Sequence, residues 1–229
     1  MKIAILIHGL HTEAHEWESM VWGDFTKNIW GTIPRGIEYA WRTQAELIVW
    51  GSGASERDGK KEAEVVYELA LSRIDDLAKL CGTNTTTLKT FIETHSVKDL
   101  DAKDTAGEIK NAFNLCLERE IGDIVLIPIG SQAPIASRRA LGLSLEDEKY
   151  SSFKHHVLIA PSDGRYEGTS MQDIVIIAPA HRGDRVKAQP NVYARKTLDI
   201  IQRLSKAGDK DGVDNFLNEW DILLKKFEN

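Results

Sequence analysis

Ile3-Ala4-Ile5-Leu6-Ile7-His8-Gly9 sets five uninterrupted apolar residues against an abrupt change to imidazole and glycine. A run without polar alternation offers no face to water, so it reads as a strand covered on both sides, as in parallel sheets between helix layers. It is too short to cross a bilayer. The same signature returns at residues 47–50, 124–129 and 174–178, with a further candidate at 157–160.

Between the second and third runs, residues 60–80 carry Ala63, Val66, Tyr67, Ala70, Leu71, Ile74, Leu77 and Ala78 at helical spacing, which predicts one long amphipathic helix. Residues 105–121 repeat the pattern through Ile109, Ala112, Phe113, Cys116 and Leu117 before a Gly122-Asp123 break. Strand, crossover helix and strand in alternation predict an α/β fold. The expected architecture is a Rossmann-like three-layer α/β/α sandwich with a mostly parallel central sheet, in a single domain over residues 1–229. Residues 206–212 form a charged, glycine-containing hinge. Val213, Phe216, Leu217, Trp220, Leu223 and Leu224 then predict an amphipathic helix over about 211–227 that packs on the domain, with partner docking as the alternative.

The chain has 229 residues, enough for one well-buried domain and too few for several. With 29 Lys and Arg against 35 Asp and Glu, the net charge is -6, which argues against a broad nucleic-acid surface. Two cysteines, Cys81 and Cys116, make neither a disulfide framework nor a Cys-x-x-Cys motif, so a reducing cytoplasm is the expected location. No membrane partner is expected, and the oligomeric state is left open. Asn84-Thr85-Thr86 matches a glycosylation sequon and reads better as a polar cap before a helix.

In a parallel α/β sheet ligands bind outside the carboxyl ends of the strands. Those ends read His8-Gly9-Leu10-His11, Gly51-Ser52-Gly53-Ala54-Ser55, Gly130-Ser131-Gln132, Ser162-Asp163-Gly164 and Pro179-Ala180-His181. Small residues at Gly51, Ser52, Gly53, Gly130 and Ser131 would let backbone N–H groups approach an anion. Pro134 opens the next helix, whose Arg138 and Arg139 would add positive charge, as would Arg35. Neither glycine-rich loop is a P-loop or a three-glycine dinucleotide fingerprint.

Glu62 and His181 are the candidate catalytic groups for proton transfer, and Asp104 or Thr105 is placed to cap the helix that follows. His8, His11 and His15 invite a metal, but their segment leaves a strand into a loop, so ordinary hydrogen-bonding roles are expected and no metal is assigned. His8-Gly9 followed by Trp17 resembles the oxyanion region of α/β-hydrolases, with His181 as base. No Gly-x-Ser-x-Gly elbow supplies the nucleophile, so a serine-type hydrolase stands second. A third reading makes the dense tryptophans, Trp17, Trp22, Trp30, Trp41 and Trp50, a stacking pocket or protein interface of a non-catalytic interaction module.

Taken in order, several segments resemble the SanA/YdcF/ElyC-like family. These are Ile7-His8-Gly9, Arg35-Gly36-Ile37-Glu38-Tyr39-Ala40, Val49-Trp50-Gly51-Ser52-Gly53 and Lys61-Glu62-Ala63. Glu93-Thr94-His95-Ser96, Asp104-Thr105, Ile127-Pro128-Ile129-Gly130-Ser131 and Ser137-Arg138-Arg139-Ala140 continue the series. The resemblance covers residues 2–140 and implies an α/β fold, a role in bacterial envelope biology and, for one branch, binding of S-adenosylmethionine. It carries Glu62, Thr105, Ser131 and Arg139 over as site residues. The histidine that the family places after its Thr-Ser strand is missing between Gly130 and Arg139. The expected function is binding of a small anionic or nucleotide-like molecule, S-adenosylmethionine or a phosphorylated metabolite, at the strand ends, with hydrolase or transferase chemistry and the cofactor left open. The expected ligand contacts are His8, Gly9, Arg35, Gly51, Ser52, Gly53, Thr105, Gly130, Ser131, Arg138 and Arg139.

Overall fold

In a computed structural model the first apolar run, Ile3–Ile7 (β1), is the middle strand of a five-stranded, all-parallel sheet. Its neighbours are Leu47–Gly51 (β2) and Asp123–Ile127 (β4), with Ser96–Asp99 (β3) outside β2 and Val157–Ile159 (β5) outside β4. The structure describes residues 2–14 and 16–164, plus positions 177–178, 189–190, 208, 211–212 and 214. The chain divides into two compact units, Met1–Tyr166 and Glu167–Asn229. The expected single domain over 1–229 and helix at 211–227 both reach into the second unit, where only those isolated positions are described.

The sheet faces follow from the alternation of side chains along each strand. Ile5, Ile7, Ile48, Trp50, Val125 and Ile127 point to one side. There they meet Thr32–Thr43 (α1), Glu62–Ser72 (α2), Ile74–Cys81 (α3) and Thr85–His95 (α4). Ala4, Leu6, Leu47, Val49, Ile124 and Leu126 point to the other side. They pack on Thr105–Glu118 (α5), on Ala140 of Ala133–Glu146 (α6), and on Tyr150 and Phe153 of the 3-10 segment Glu148–His155. The three layers of the expected α/β/α sandwich are present.

Of the run expected at 174–178 only Ile177–Ala178 is described, and it pairs antiparallel with Gln189–Pro190. Within the first unit two expectations are corrected. The fifth strand is Ser96-Val97-Lys98-Asp99, which an apolar-run criterion overlooks because an edge strand is half solvated and needs no continuous hydrophobic stretch. The helix expected over 60–80 begins at Glu62 and breaks at Arg73, whose side chain pairs with Glu18 and lies 4.9 Å above the Trp22 ring. Lys60 and Lys61 instead pair with Glu56 and Arg57 across an Asp58-Gly59 turn with positive φ at both residues.

The tryptophans chiefly serve the core rather than a single exposed platform. Trp17, Trp22 and Trp50 are buried, Trp41 meets Phe91 edge-on at 5.3 Å, and Trp30 lies under the Arg35 guanidinium at 4.8 Å. Two of the buried indoles have their N–H groups satisfied, Trp17 on the Leu10 carbonyl and Trp50 on the Ser96 hydroxyl. Asn84 caps α4 through the Thr87 amide at 2.8 Å, the role read for the sequon.

Candidate functional site

Numbered along the chain, the strand order is 3-2-1-4-5, and its direction reverses between β1 and β4. The crevice outside that reversal is where open parallel sheets bind ligands. The residue that follows β1 there is His8, 3% exposed, its backbone N–H donating to the Ile127 carbonyl at the end of β4.

His8 is held by a carboxylate from the first turn of α5. Its Nδ1 donates to Glu108 Oε2 at 2.7 Å, while Glu108 Oε1 accepts the Gly9 amide at 2.8 Å. A carboxylate only accepts, so it keeps the proton on Nδ1 and leaves Nε2 with its lone pair in the neutral ring. Nε2 is buried without a hydrogen-bond partner.

A second buried carboxylate braces the same turn. Glu62, at the start of α2, accepts from Ser52 Oγ at 2.9 Å and Ser55 Oγ at 2.6 Å, and Ser55 Oγ in turn accepts the Thr12 amide at 2.9 Å. A Cβ at Gly9 would strike Glu62 Oε1, the Ser52 nitrogen and the Gly51 carbonyl, and one at Gly51 would strike Glu108 Oε1. Glycine is required at both places because the carboxylates press on the backbone itself. The Gly51–Ser52 peptide is cis.

Around the switch point buried polar atoms lack partners. Among the described residues these atoms are His8 Nε2, Thr32 Oγ1, Arg35 Nε, Ser131 Oγ and Ser162 Oγ. Hydrogen bonds tie their segments together at the carboxyl edge of the sheet. Ser162 donates its amide to Pro128, Asp163 to Trp30, and Gly130 to Gly164. A Cβ at Gly36 would sit on Ile7 and Ile127, the last residues of β1 and β4, so the first turn of α1 stands at that same edge. Buried polar groups are nearly always hydrogen-bonded, so a gathering of exceptions at a switch point marks a place built to receive polar atoms.

The residues expected from sequence fall into distinct groups. His8, Gly9, Gly51, Ser52 and Glu62 belong to one connected network, and Gly130 and Ser131 lie in the 3-10 turn that follows β4. Thr105 is the first residue of α5, but the capping group is Asp104, which accepts the Gly107 amide at 2.8 Å. Arg35 binds Asp163 at 3.3 Å and approaches Glu38 at 3.7 Å. Arg138 and Arg139 are exposed along α6 rather than in its opening turn. His181 lies outside the described residues, as does His15.

The cradle of backbone amides expected at the glycine loops is in part already engaged. The Gly53 amide donates to Ala102, Gly130 to Gly164, and Gly9 to Glu108, so these donors already have protein acceptors. The Gly9 pairing also removes that amide from the oxyanion role of the hydrolase reading. Burial pushes the Cys81 and Cys116 thiols up to about 12, which leaves neither as a nucleophile near neutral pH. Among the described residues no group of three His, Cys, Asp or Glu side chains is arranged to hold a metal ion. None of their helices is long and apolar enough to cross a membrane.

Sequence reasoning missed Glu108, Ser55, Thr12, Thr32 and Ser162. For Glu108 a signal existed: it precedes Ile109 and lies one turn from Ala112, on the buried stripe of α5, as Glu62 precedes Ala63 and lies one turn from Val66 on α2. A carboxylate on an apolar stripe demands a partner inside the fold. No family model, curated protein or solved structure matches the chain.

Proposed function

We propose that the chain is a YdcF-like cytoplasmic protein that binds a small nucleotide-like or phosphorylated metabolite at the carboxyl ends of β1 and β4. His8 takes a hydrogen bond from a ligand hydroxyl or amine. The observation that carries this reading is the His8 imidazole: nearly fully buried, fixed in orientation and tautomer by Glu108, with Nε2 unpartnered at the switch point. In a turnover step the proton would pass from the ligand oxygen to Nε2, and the imidazolium so formed is balanced by Glu108. Glu62 acts through the 52–55 loop and Gly9, as a positioning residue. The motif resemblance over residues 2–140 and the two free cysteines support the family and the compartment.

The test is a thermal-shift screen of nucleotides, S-adenosylmethionine and sugar phosphates, run on the wild type and on His8→Gln. A ligand present at a hundred times its dissociation constant adds about 2.7 kcal/mol, or roughly 5–10 °C in a chain of this size. The reading expects such a rise from at least one compound and its loss in His8→Gln. A flat response to every compound, or a rise indifferent to the substitution, contradicts it.

A further inference from the structure

Two helices begin at this carboxyl edge: α1 at Thr32, after Gly31, which makes no side-chain capping hydrogen bond, and α6 at Ala133, whose amide donates to the Gly130 carbonyl. A helix start without a side-chain cap, as at Gly31, leaves the positive end of the helix dipole to be met by another acceptor. Beside these two starts the structure buries hydroxyls that have no partner. Thr32, 0% exposed, is the first residue of α1, and Ser131, 5% exposed, lies in the 3-10 turn leading into α6. Ser162, 4% exposed, is tied to the same edge through the Pro128 carbonyl.

We infer that these groups form a subsite for a phosphoryl group. The reasoning rests on complementary donors. A buried hydroxyl is costly unless it meets an acceptor, and three of them beside the two helix starts call for an acceptor with several oxygens. Arg35, in the first turns of α1, fits the same ligand. Asp163 holds its Nη2 at 3.3 Å, Glu38 approaches Nη1 at 3.7 Å, and Nε is buried with no partner. The carboxylate of Asp163 also accepts the Trp30 amide at 2.9 Å, which fixes it in place and keeps the guanidinium aimed. The nearby charges are Arg35 with Asp163 and Glu38, the latter also paired with Arg42 at 2.6 Å, so binding relies on directed hydrogen bonds more than on net charge. This inference deepens the proposed function: it moves the negative part of the ligand from the glycine loops, whose Gly53 and Gly130 amides have protein acceptors, to the α1 and α6 starts, and leaves a hydroxyl or amine for His8.

Orthophosphate itself is the probe, titrated into the full chain and followed by calorimetry and by phosphorus NMR line width. The subsite predicts saturable binding to the wild type, weakened about tenfold or more by Thr32→Val and by Ser131→Ala, and unchanged in Arg138→Ala/Arg139→Ala. Both hydroxyl deletions remove an unsatisfied buried group, so each variant keeps or slightly raises its phosphate-free melting temperature, a readout that separates lost contacts from lost folding. Absence of saturable binding, or binding that tolerates both hydroxyl deletions, overturns the inference. His8→Gln separates the two proposals. Phosphate binding retained in that variant supports the subsite as independent of His8, and phosphate binding lost in it contradicts the placement of the anion away from the imidazole.

Discussion

Replacing Glu108 with glutamine tests how the site controls a single proton. Glu108 accepts from the Gly9 amide at 2.8 Å in a part-buried bond and from His8 Nδ1 at 2.7 Å in a buried one. Glutamine keeps one acceptor oxygen and adds an NH2 donor. With that oxygen on the Gly9 N–H, the NH2 faces Nδ1, which must then accept, so the imidazole proton moves to Nε2. The substitution exchanges two charge-assisted bonds for neutral ones, a loss of about 1–2 kcal/mol and roughly 2–8 °C in melting temperature. Glu108→Ala is more severe, because it strands both donors at about 1–3 kcal/mol each. Long-range proton–nitrogen correlation spectra of histidine-labelled protein distinguish a protonated ring nitrogen from one bearing a lone pair. The wild type should show His8 protonated at Nδ1 and the Glu108→Gln variant at Nε2. The same tautomer in both proteins refutes the claim that Glu108 sets the hydrogen-bonding polarity of Nε2.

Gly9→Ala drives a Cβ into Glu62 Oε1 and the Gly51-Ser52 backbone, and should cost about 1–3 kcal/mol by denaturant titration; a neutral result would show the turn to be looser than described. Asp104→Ala removes the α5 cap on the Gly107 amide and should cost about 0.5–2 kcal/mol, with Asp104→Asn recovering most of it. Cys81 and Cys116, whose thiols burial raises to about 12, should resist alkylation at pH 8 in the native protein and react in denaturant. The raised values also set a sign for stability. The unfolded thiols ionise first, near pH 8.5, so the stability present below that value falls as the pH climbs toward 12, and denaturation midpoints that hold constant over this range would contradict the burial.

The parallel sheet was legible because buried strands betray themselves: residues 3–7, 47–50 and 124–129 have no polar alternation, and all three became neighbouring strands. Ser96–Asp99 was hidden because an edge strand needs only one packed side chain, here Val97. The site was half legible by position. Strand ends pointed to His8, Gly9, Ser52 and Ser131, yet the partner of His8 sits a hundred residues away on α5, and only the burial of Glu108 on an apolar stripe hinted at it. One loop glycine has a reason within the fold itself. Glycine at Gly53 admits a close backbone, but the backbone that approaches is the chain's own, at Leu100 and Ala102, rather than a ligand. Thr32 carried no pattern at all and Ser162 only its place at a strand end, since a lone hydroxyl becomes informative only when its burial and lack of a partner are known.

A crystal structure of the full chain, purified without chelators or denaturant and soaked with whichever metabolite stabilises it most, reaches the central claim most directly. The account predicts a hydroxyl or amine of that molecule within about 2.6–3.2 Å of His8 Nε2, and its phosphoryl oxygens on Thr32 and Ser131. A ligand seated anywhere else on a chain whose His8 ring stays closed off by protein atoms would contradict it.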